Sequence, residues 1–283
     1  MMAGARGKSS ADQARVRVEP RHKYLSIASC AMHQGIAYRR VLMAKVGSSG
    51  ITLIIQLSLW STIFASRSQV ASFDWPAMQT YILLSFAINN LVSNINEARM
   101  FMDISSGDIV LDLVKPVDYL MSNLARVIGF ALVEGTLALG VALAFVVVLP
   151  GLRLPADGLA AFAFTMSVAL GFLVKFLLGY LVALFGFVLL NVTGVLWARA
   201  AVTNVFSGAV VPLELFPSTI GALAEVLPFR AIVHTPISLY LGHYDAGAII
   251  RALAHQIGWV LALWALARWL WGASVRRLVV QGG

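Results

Sequence analysis

The sequence predicts an all-α integral membrane protein with six transmembrane helices. Of its 283 residues, 59% are hydrophobic and only 12% are charged, and the mean hydropathy is +0.83. A soluble globule of this size needs more polar surface than such a composition supplies. The apolar residues are gathered into runs long enough to cross about 30 Å of hydrocarbon, and most charged residues fall between those runs.

The chain before the first run divides into two parts. The first 23 residues carry no apolar stretch followed by a cleavage site, so we expect a disordered cytosolic tail and no secretory signal. Residues 24–46 are predicted to form an amphipathic helix in the cytosolic interface, because Leu25, Ala28, Met32 and Ile36 recur at helical spacing. Such a helix serves either as an anchor held by anionic lipid or as an element with a specific mechanical role.

Six runs are long enough to span the bilayer. They are Gly47–Ser66, Ala77–Ile95, Ser122–Leu149, Leu159–Leu190, Val192–Val211 and Ala248–Trp271. The second run is the weakest, because polar residues crowd its end, where amides are expected to bond other helices or line a polar cavity. The fourth is too long for one upright helix, so it tilts or extends beyond the bilayer. Residues 47–272 then form one six-helix domain, followed by a cytosolic tail over 273–283.

An even number of crossings places both chain ends on the same side of the membrane. Of the 21 lysines and arginines, sixteen are assigned to one side, including Arg199 in the fifth run; four are assigned to the other side, namely Arg67, Arg153, Arg230 and Arg251; and Lys175 lies within a span. By the positive-inside rule, both termini are predicted to be cytosolic. The formal charge of +8 therefore reflects topology. We expect no nucleic-acid partner, because the basic residues form no groove with stacking aromatics.

The polar, acidic segment between the second and third runs, residues 96–121, is predicted to be a cytosolic docking surface. Gly107 permits a tight turn, and Asp108 is placed to cap the helix that follows. The apolar residues of that helix are Ile109, Leu111, Leu113 and Val114. With neighbouring aspartates, they suit a partner whose apolar groove has a basic rim. The alternative is a cytosolic loop that packs only on itself.

Residues 212–247, between the fifth and sixth runs, are predicted to form an extracellular re-entrant hairpin. Pro212, Pro217, Pro228 and Pro236 cut this apolar segment into pieces of about ten residues, which are too short to cross the bilayer. Backbone at that depth needs cover from protein or a water-filled cavity. A gate or cap of a transport pathway and a passive outer loop both fit this pattern.

Glu134 in the third run and Lys175 in the fourth are ionisable residues inside predicted spans. A charge at such depth costs at least about 2.5–3.5 kcal/mol, so both side chains should face protein or water. Two roles fit: an ion pair that holds adjacent helices together, or a lining of the substrate route that selects charge. We favour the ion pair.

The loops offer no arrangement of nucleophile, base and orienting acid and no nucleotide-binding motif, so the chain alone is not expected to be an enzyme or to bind a cofactor. The five histidines show no paired ligand spacing, and no metal site is predicted. Energy for any transport must then come from a separate subunit.

The order of segments resembles a known family of transporters. An interfacial helix, two spans, the segment ISSGDIVLDLVKPVDYL and the segment FSGAVVPLELFPSTIGALAEVLPFRAIVHTPISLYLG are similar to the permease subunits of ABC-2 type exporters. The similarity covers most of the chain after about Lys23 and lies in the six-span branch grouped with daunorubicin-like and viologen-like drug exporters. It implies the transmembrane domain of a type-2 ABC exporter in a prokaryotic plasma membrane.

In that family, the loop after the second span forms a coupling helix seated on an ATP-binding subunit, and the hairpin after the fifth span caps the outward pathway. The resemblance implies ATPase-coupling residues at Glu97, Asp103, Ser106, Gly107, Asp108, Lys115 and Pro116. It implies an outer gate at Gly208, Pro212, Glu214, Phe216, Pro217, Pro228, Phe229 and Arg230.

The function implied is that of a permease subunit of an ATP-driven ABC exporter. It would move an amphipathic or hydrophobic substrate, such as a drug, a secondary metabolite or a lipid-like compound, outward by alternating access. Two ATP-binding subunits would carry ATP and magnesium, and a second permease, identical or related, would complete the pathway. Two alternatives come from other classes. One is a membrane-embedded enzyme acting on lipid through Glu134, Lys175 and the hairpin, and the other is a non-transporting scaffold or sensor with permease architecture.

Overall fold

The computed structural model describes residues 20–91, 95–149, 151–189 and 193–276, and these are predominantly helical. The elements are α1 (Pro20–Ala37), α2 (Arg39–Ala65), β1 (Gln69–Val70), β2 (Phe73–Asp74), α3 (Trp75–Asn89), α4 (Ile95–Ser105), α5 (Ile109–Leu113), α6 (Tyr119–Val148), α7 (Gly158–Ala183), α8 (Thr193–Phe206), α9 (Ser218–Val226), α10 (His234–Tyr240) and α11 (Ala246–Val275). Short 3₁₀ turns cover Leu184–Phe187, Leu213–Leu215 and Pro228–Ala231. The two strands pair antiparallel as a minimal hairpin.

Aspartate side chains set the starts of four helices. Asp74, Asp118, Asp157 and Asp245 each accept a hydrogen bond from the backbone amide three residues later, at 2.6 to 3.0 Å. Such a bond satisfies one of the amides that the first turn of a helix leaves without a partner. As a result α6, α7 and α11 begin slightly before the hydrophobic runs that predicted them.

Four helices in the described ranges are long and apolar enough to cross a membrane. They comprise Met43–Ala65 within α2, all of α6, the continuous segment Gly158–Phe187, and all of α11. Helices α3 and α8 occupy the places of the second and fifth predicted spans, but their 15 and 14 residues reach only about 22 Å at 1.5 Å per residue. The structure therefore supports four of the six spans by length, and the other two stay predictions.

The bundle has two ends of different character. At one end, which we call the β-hairpin end, Arg153 forms an ion pair of 2.5 Å with Asp74, and the loop after α6 bonds the end of α10. At the other, the α5 end, Asp118 at the start of α6 is paired with Arg268 near the end of α11. The connections between the helices thus alternate between the two ends.

Helix α7 lies at the centre of the bundle. In its most apolar stretch of 18 residues, 50% of the stretch is buried by the rest of the chain, whereas the corresponding share for α11 is 11%. It packs against α4, α10 and α11. The outer helices instead expose apolar faces, as expected where lipid or another membrane chain is the neighbour.

The prediction of a single interfacial helix over residues 24–46 is wrong about the length of that helix. A turn at Tyr38 ends α1, and residues 39–46 belong to α2, which continues into the first span. Apolar periodicity does not mark such a change of direction. Helix α1 also begins at Pro20, inside the predicted tail, whereas residues 1–19 lie outside the described ranges. Similarly, α11 continues to Val275, into the predicted C-terminal tail.

Helix α1 packs along α6 through small residues. Ala31 and Gly35 are buried, and a side chain on Gly129 of α6 would meet the carbonyl oxygen of Ala28 at 2.2 Å. Small residues let helix backbones approach this closely in membranes. Of the large apolar residues that predicted this helix, Leu25 and Ile36 are exposed and so are not part of the contact with α6.

Candidate functional site

Helix α4 is held firmly against the bundle at the α5 end. Its apolar residues Met100, Phe101 and Ile104 are buried. A side chain on Gly186, in the 3₁₀ turn that ends α7, would lie 3.0 Å from the carbonyl oxygen of Phe101. The close approach fixes the position of α4, and with it the position of the turn that follows.

The turn between α4 and α5 has the conformation expected of glycine. Gly107 has a φ of +83°, a left-handed conformation that other residues rarely adopt. The predicted cap at Asp108 is wrong: its side chain makes no capping bond to α5 and instead accepts a hydrogen bond of 2.8 Å from the Ser106 hydroxyl. Ser106, Gly107 and Asp108 thus form one exposed turn at the tip of the segment.

Beyond this turn, α5 exposes apolar side chains. Ile109 is fully buried and anchors the helix, so it is unavailable to a partner, contrary to our expectation. The exposed apolar residues, which we call the α5 surface, are Met102, Val110, Leu111, Leu113 and Val114. Leu111 is 68% and Val114 80% exposed. A cluster of exposed apolar side chains outside the spans is typical of an interaction site.

The acidic side chains around the α5 surface are paired within the chain. Asp112 lies 2.6 Å from the Lys115 ammonium and 3.9 Å from the Arg126 guanidinium, and Asp103 lies 3.8 Å from Arg99. Each is partly exposed, so these pairs contribute little to stability. Their effect is to orient the segment. Pro116 is exposed and follows directly.

Glu97 does not belong to the α5 surface, although the resemblance implied a coupling role for it. Its side chain is buried, and its carboxylate forms an ion pair of 2.7 Å with Arg199 of α8. Gly179 of α7 provides the space, since a side chain there would lie 2.2 Å from the same carboxylate. Burial raises the pKa of Glu97 to about 7, with Arg199 and Lys175 acting in the opposite direction. Glu97 therefore ties α4 to α7 and α8.

At the β-hairpin end, residues 207–244 form what we call the proline-rich hairpin. Its first arm is bonded to α3 through backbone carbonyls. The Tyr81 hydroxyl donates to the Gly208 carbonyl at 2.8 Å, and the Ser85 hydroxyl donates to the Ala209 carbonyl at 3.3 Å. Gly208 has a φ of +80°, and a side chain there would lie 2.6 Å from Tyr81 Oη.

The second arm of the hairpin runs back into the bundle. The Gln256 amide of α11 donates to the Ala231 carbonyl at 2.7 Å and to the Ser167 carbonyl at 3.2 Å. A side chain on Gly171 of α7 would lie 2.6 Å from the same Ala231 oxygen. Gly171 lies about 20 Å from the start of α7 at 1.5 Å per residue, so the arm descends deep beside that helix.

The remaining residues implied as an outer gate are spread along the hairpin. Pro212 and Pro228 are buried, Phe216 is half-buried, and Glu214 and Pro217 are exposed. The ring centroid of Phe229 lies 6.2 Å from that of Phe206 at the end of α8. The structure thus brings these residues to one end of the bundle but not into one cluster.

A buried histidine supports the base of the hairpin. His234 Nδ1 lies 3.7 Å from the Glu214 carboxylate, and its Nε2 lies 3.4 Å from the Ser238 hydroxyl. Burial, with the positive charge of Arg230 adding to it, lowers the pKa of His234 to about 3. The ring is therefore neutral at pH 7, and its contact with Glu214 is not an ion pair.

The favoured ion pair between Glu134 and Lys175 is wrong. Glu134 is paired with Lys45 of α2. The Lys175 ammonium instead donates to the backbone carbonyl of Asn89 at 2.7 Å and to its side-chain oxygen at 2.9 Å. The Asn89 amide also approaches Asn204 of α8 at 3.5 Å, so the polar end of α3 does bond neighbouring helices, as predicted.

Sequence reasoning missed Lys45 and Arg199 as partners of buried acids. Lys45 precedes the first predicted span and lies 89 residues from Glu134, so no local pattern links them. Arg199 did carry a signal, because it falls inside the predicted fifth span, where an arginine requires a partner.

These features define a helical membrane protein with an exposed apolar surface at one end and a hairpin packed into the other. The chain belongs to a family described as ABC-2 family transporter protein, which its sequence matches over residues 51–282. The resemblance is thus confirmed at the level of the family. Comparison with curated proteins gives no match. Proteins of this family are membrane permease domains that lack an ATPase site and work with ABC ATP-binding subunits.

Proposed function

We propose that this chain is the permease subunit of an ATP-driven ABC exporter in a prokaryotic plasma membrane, in the six-span branch of the family. Helices α3 and α8 supply the second and fifth crossings, and both termini are cytosolic. Family membership over residues 51–282 supports the permease role. The substrate is amphipathic or hydrophobic, and it moves outward by alternating access.

The observation that carries the proposal is the α5 surface. Apolar side chains there are exposed on a segment whose own anchor, Ile109, is buried, so the surface is held in place without being covered. An apolar groove on an ATP-binding subunit would bury it, and the hydrophobic effect would stabilise that contact. Two such subunits, carrying ATP and magnesium, serve a pair of permeases.

Motion of the ATP-binding subunits reaches the bundle through Glu97 and α4. Glu97 joins α4 to α8, and α8 leads directly into the proline-rich hairpin. The hairpin then closes or opens the outward pathway between two permeases. The exposed apolar faces of α2 and α11 supply the surfaces that meet the second permease or lipid.

Neither alternative is favoured by a specific observation. An enzyme acting on lipid required Glu134, Lys175 and the hairpin in one site, whereas the two charged residues have separate partners on α2 and α3. A scaffold or sensor would bind ATP-binding subunits without ATP-dependent export, and transport assays in vesicles distinguish it from an exporter.

The docking role of the α5 surface is tested with two matched variants. Leu111→Asp places a charge on the α5 surface, and Leu154→Asp places the same charge at the β-hairpin end, where Leu154 is 83% exposed. We expect Leu111→Asp to abolish co-purification of the ATP-binding subunit and vanadate-sensitive ATP hydrolysis, because a carboxylate resists burial in an apolar groove. Leu154→Asp should leave both unchanged.

A photo-crosslinker at Asp108 identifies the partner directly. A crosslinked ATP-binding subunit in the wild-type background, lost with Leu111→Asp, supports the proposal. Equal ATP hydrolysis and equal crosslinking in both aspartate variants would show that the α5 surface is not the docking site.

A further inference from the structure

A groove at the β-hairpin end has the shape and chemistry of a ligand site. It lies between the proline-rich hairpin and the first half of α11, and its volume is about 710 Å³. Ligand pockets in proteins commonly fall between about 300 and 1,000 Å³. The groove is separate from the α5 surface and from the buried charges of the bundle.

One end of the groove is positively charged. Arg230 and Arg251 line it together with a single acid, Glu225. The Arg230 guanidinium is positioned by the Tyr244 hydroxyl at 2.9 Å and by Glu225 at 3.9 Å. Among the described residues, none forms an ion pair with Arg251, whose side chain is exposed and lies over Gly247. Among the residues that line the groove, the two guanidinium groups thus outnumber the single carboxylate, while Asp245 lies close to Arg251 outside the lining.

The other end of the groove is mostly apolar. Val226 and Ala252 line it with His255, and Trp259 closes it, whereas Ala248 lies on the other side of Arg251 along α11. The indole of Trp259 is fixed, since its N–H lies 3.1 Å from both the Val226 carbonyl and His255 Nε2. Arg251 and Trp259 lie about 12 Å apart along α11 at 1.5 Å per residue, so charged and apolar surfaces follow one another down the same helix face.

We propose that this groove binds an anionic amphiphile, with a phosphate or carboxylate held by Arg230 and Arg251 and an alkyl chain lying towards Trp259. Guanidinium groups bind phosphate and carboxylate through paired hydrogen bonds. The small side chain of Ala252 leaves room for an alkyl chain between Arg251 and Trp259, and the indole supplies a flat apolar contact. The inference does not depend on transport, because it concerns binding to this chain alone.

The test measures contact with Trp259 in nanodiscs that contain the full chain. Brominated phosphatidylglycerol and brominated phosphatidylcholine are compared as quenchers of tryptophan fluorescence, and Trp259→Phe isolates the signal of that residue. We expect brominated phosphatidylglycerol to quench Trp259 at lower mole fraction. In Arg251→Gln, the mole fraction for half-maximal quenching should rise about tenfold, because a hydrogen-bonded charge pair is lost. Arg251→Lys should show a smaller change.

Arg67→Gln is the control, since Arg67 is exposed at the same end but does not line the groove. Equal quenching by the two lipids, or an equal effect of Arg67→Gln and Arg251→Gln, would overturn the proposal. Dodecyl phosphate and inorganic phosphate are then added as competitors. Relief of quenching by dodecyl phosphate alone supports an amphiphile site, whereas equal relief by inorganic phosphate would show a site for free anions and overturn it.

Discussion

The α5 surface and the proline-rich hairpin, at the two ends of the bundle, differ in how their apolar side chains and polar groups are covered. The first exposes apolar side chains, and its Asp103 and Asp112 pair with basic residues of the same segment and with Arg126 of α6. The second buries the apolar side chains of its second arm, over residues 231–239, and joins its backbone carbonyls to side chains of α3 and α11, while Leu223 and Val226 in α9 stay exposed. The difference is in line with the proposal that another protein covers the α5 surface, whereas the second arm of the hairpin is covered by the bundle itself. Substitutions at the two ends should therefore fail in different ways.

The largest effect on stability is expected at the ion pair between Glu97 and Arg199. This pair joins α4 to α8, the helix that leads into the proline-rich hairpin. Arg199→Leu leaves the Glu97 carboxylate buried without its cation, and breaking a buried ion pair in this way costs about 3–5 kcal/mol. Because the pKa of Glu97 is already raised to about 7, it rises further in the variant. The folded chain then holds a proton that the unfolded chain releases, so the cost should grow from pH 6 to pH 8.

Thermal unfolding in detergent at both pH values measures this effect. Replacing both residues, Glu97→Leu with Arg199→Leu, should recover much of the loss, because no charge is left buried. A single variant as stable as the wild type at pH 8 would contradict the assignment of the pair as the link between α4 and α8.

A smaller effect is expected where the hairpin rests on α7. Gly171→Ala places a methyl group 2.6 Å from the Ala231 carbonyl oxygen, and the backbone displacement that follows should cost about 1–3 kcal/mol. Gly221→Ala is the matched control, since Gly221 lies in α9 with open space around it. There the change should be neutral or stabilising, because alanine favours helix over glycine. Unfolding temperatures of the two variants give the comparison.

The smallest of the three effects is expected from one hydroxyl. Tyr81→Phe removes the donor to the Gly208 carbonyl, which should cost about 0.5–1.5 kcal/mol. Tyr38→Phe serves as the control, since Tyr38 is 69% exposed. Equal unfolding free energies for the two variants would mean that this bond does not hold the first arm of the hairpin in place.

Helix positions were predictable from hydrophobicity, but helix ends depended on single polar residues. The third, fourth and sixth runs coincide with α6, α7 and α11. An apolar run of that length in a membrane almost always forms a spanning helix, because its backbone groups must be hydrogen-bonded internally. Their starts moved to Asp118, Asp157 and Asp245, whose side chains cap the first turns. A hydropathy run does not include the polar cap that precedes it.

The candidate site was predictable in its location and less so in its contacts. Gly107 was assigned to a tight turn because its residue type favours positive φ, and its φ of +83° agrees. Ile109, Glu97 and the partners of Glu134 and Lys175 depend on which helices become neighbours. Lys45 and Glu134 meet only after α2 has packed against α6, and no spacing within one segment encodes that approach.

Helix α6 is continuous from Tyr119 to Val148, a length of about 45 Å at 1.5 Å per residue. Its first residue follows the α5 segment and its last lies at the β-hairpin end. A rod of this kind works as a lever: a tilt of about 5° about its start moves its far end by about 4 Å over that length. Close packing of α1 along the first half of α6 stiffens that half, so, on the proposed mechanism, a tilt imposed at the α5 end would displace the other end of α6 by about the width of an alkyl chain.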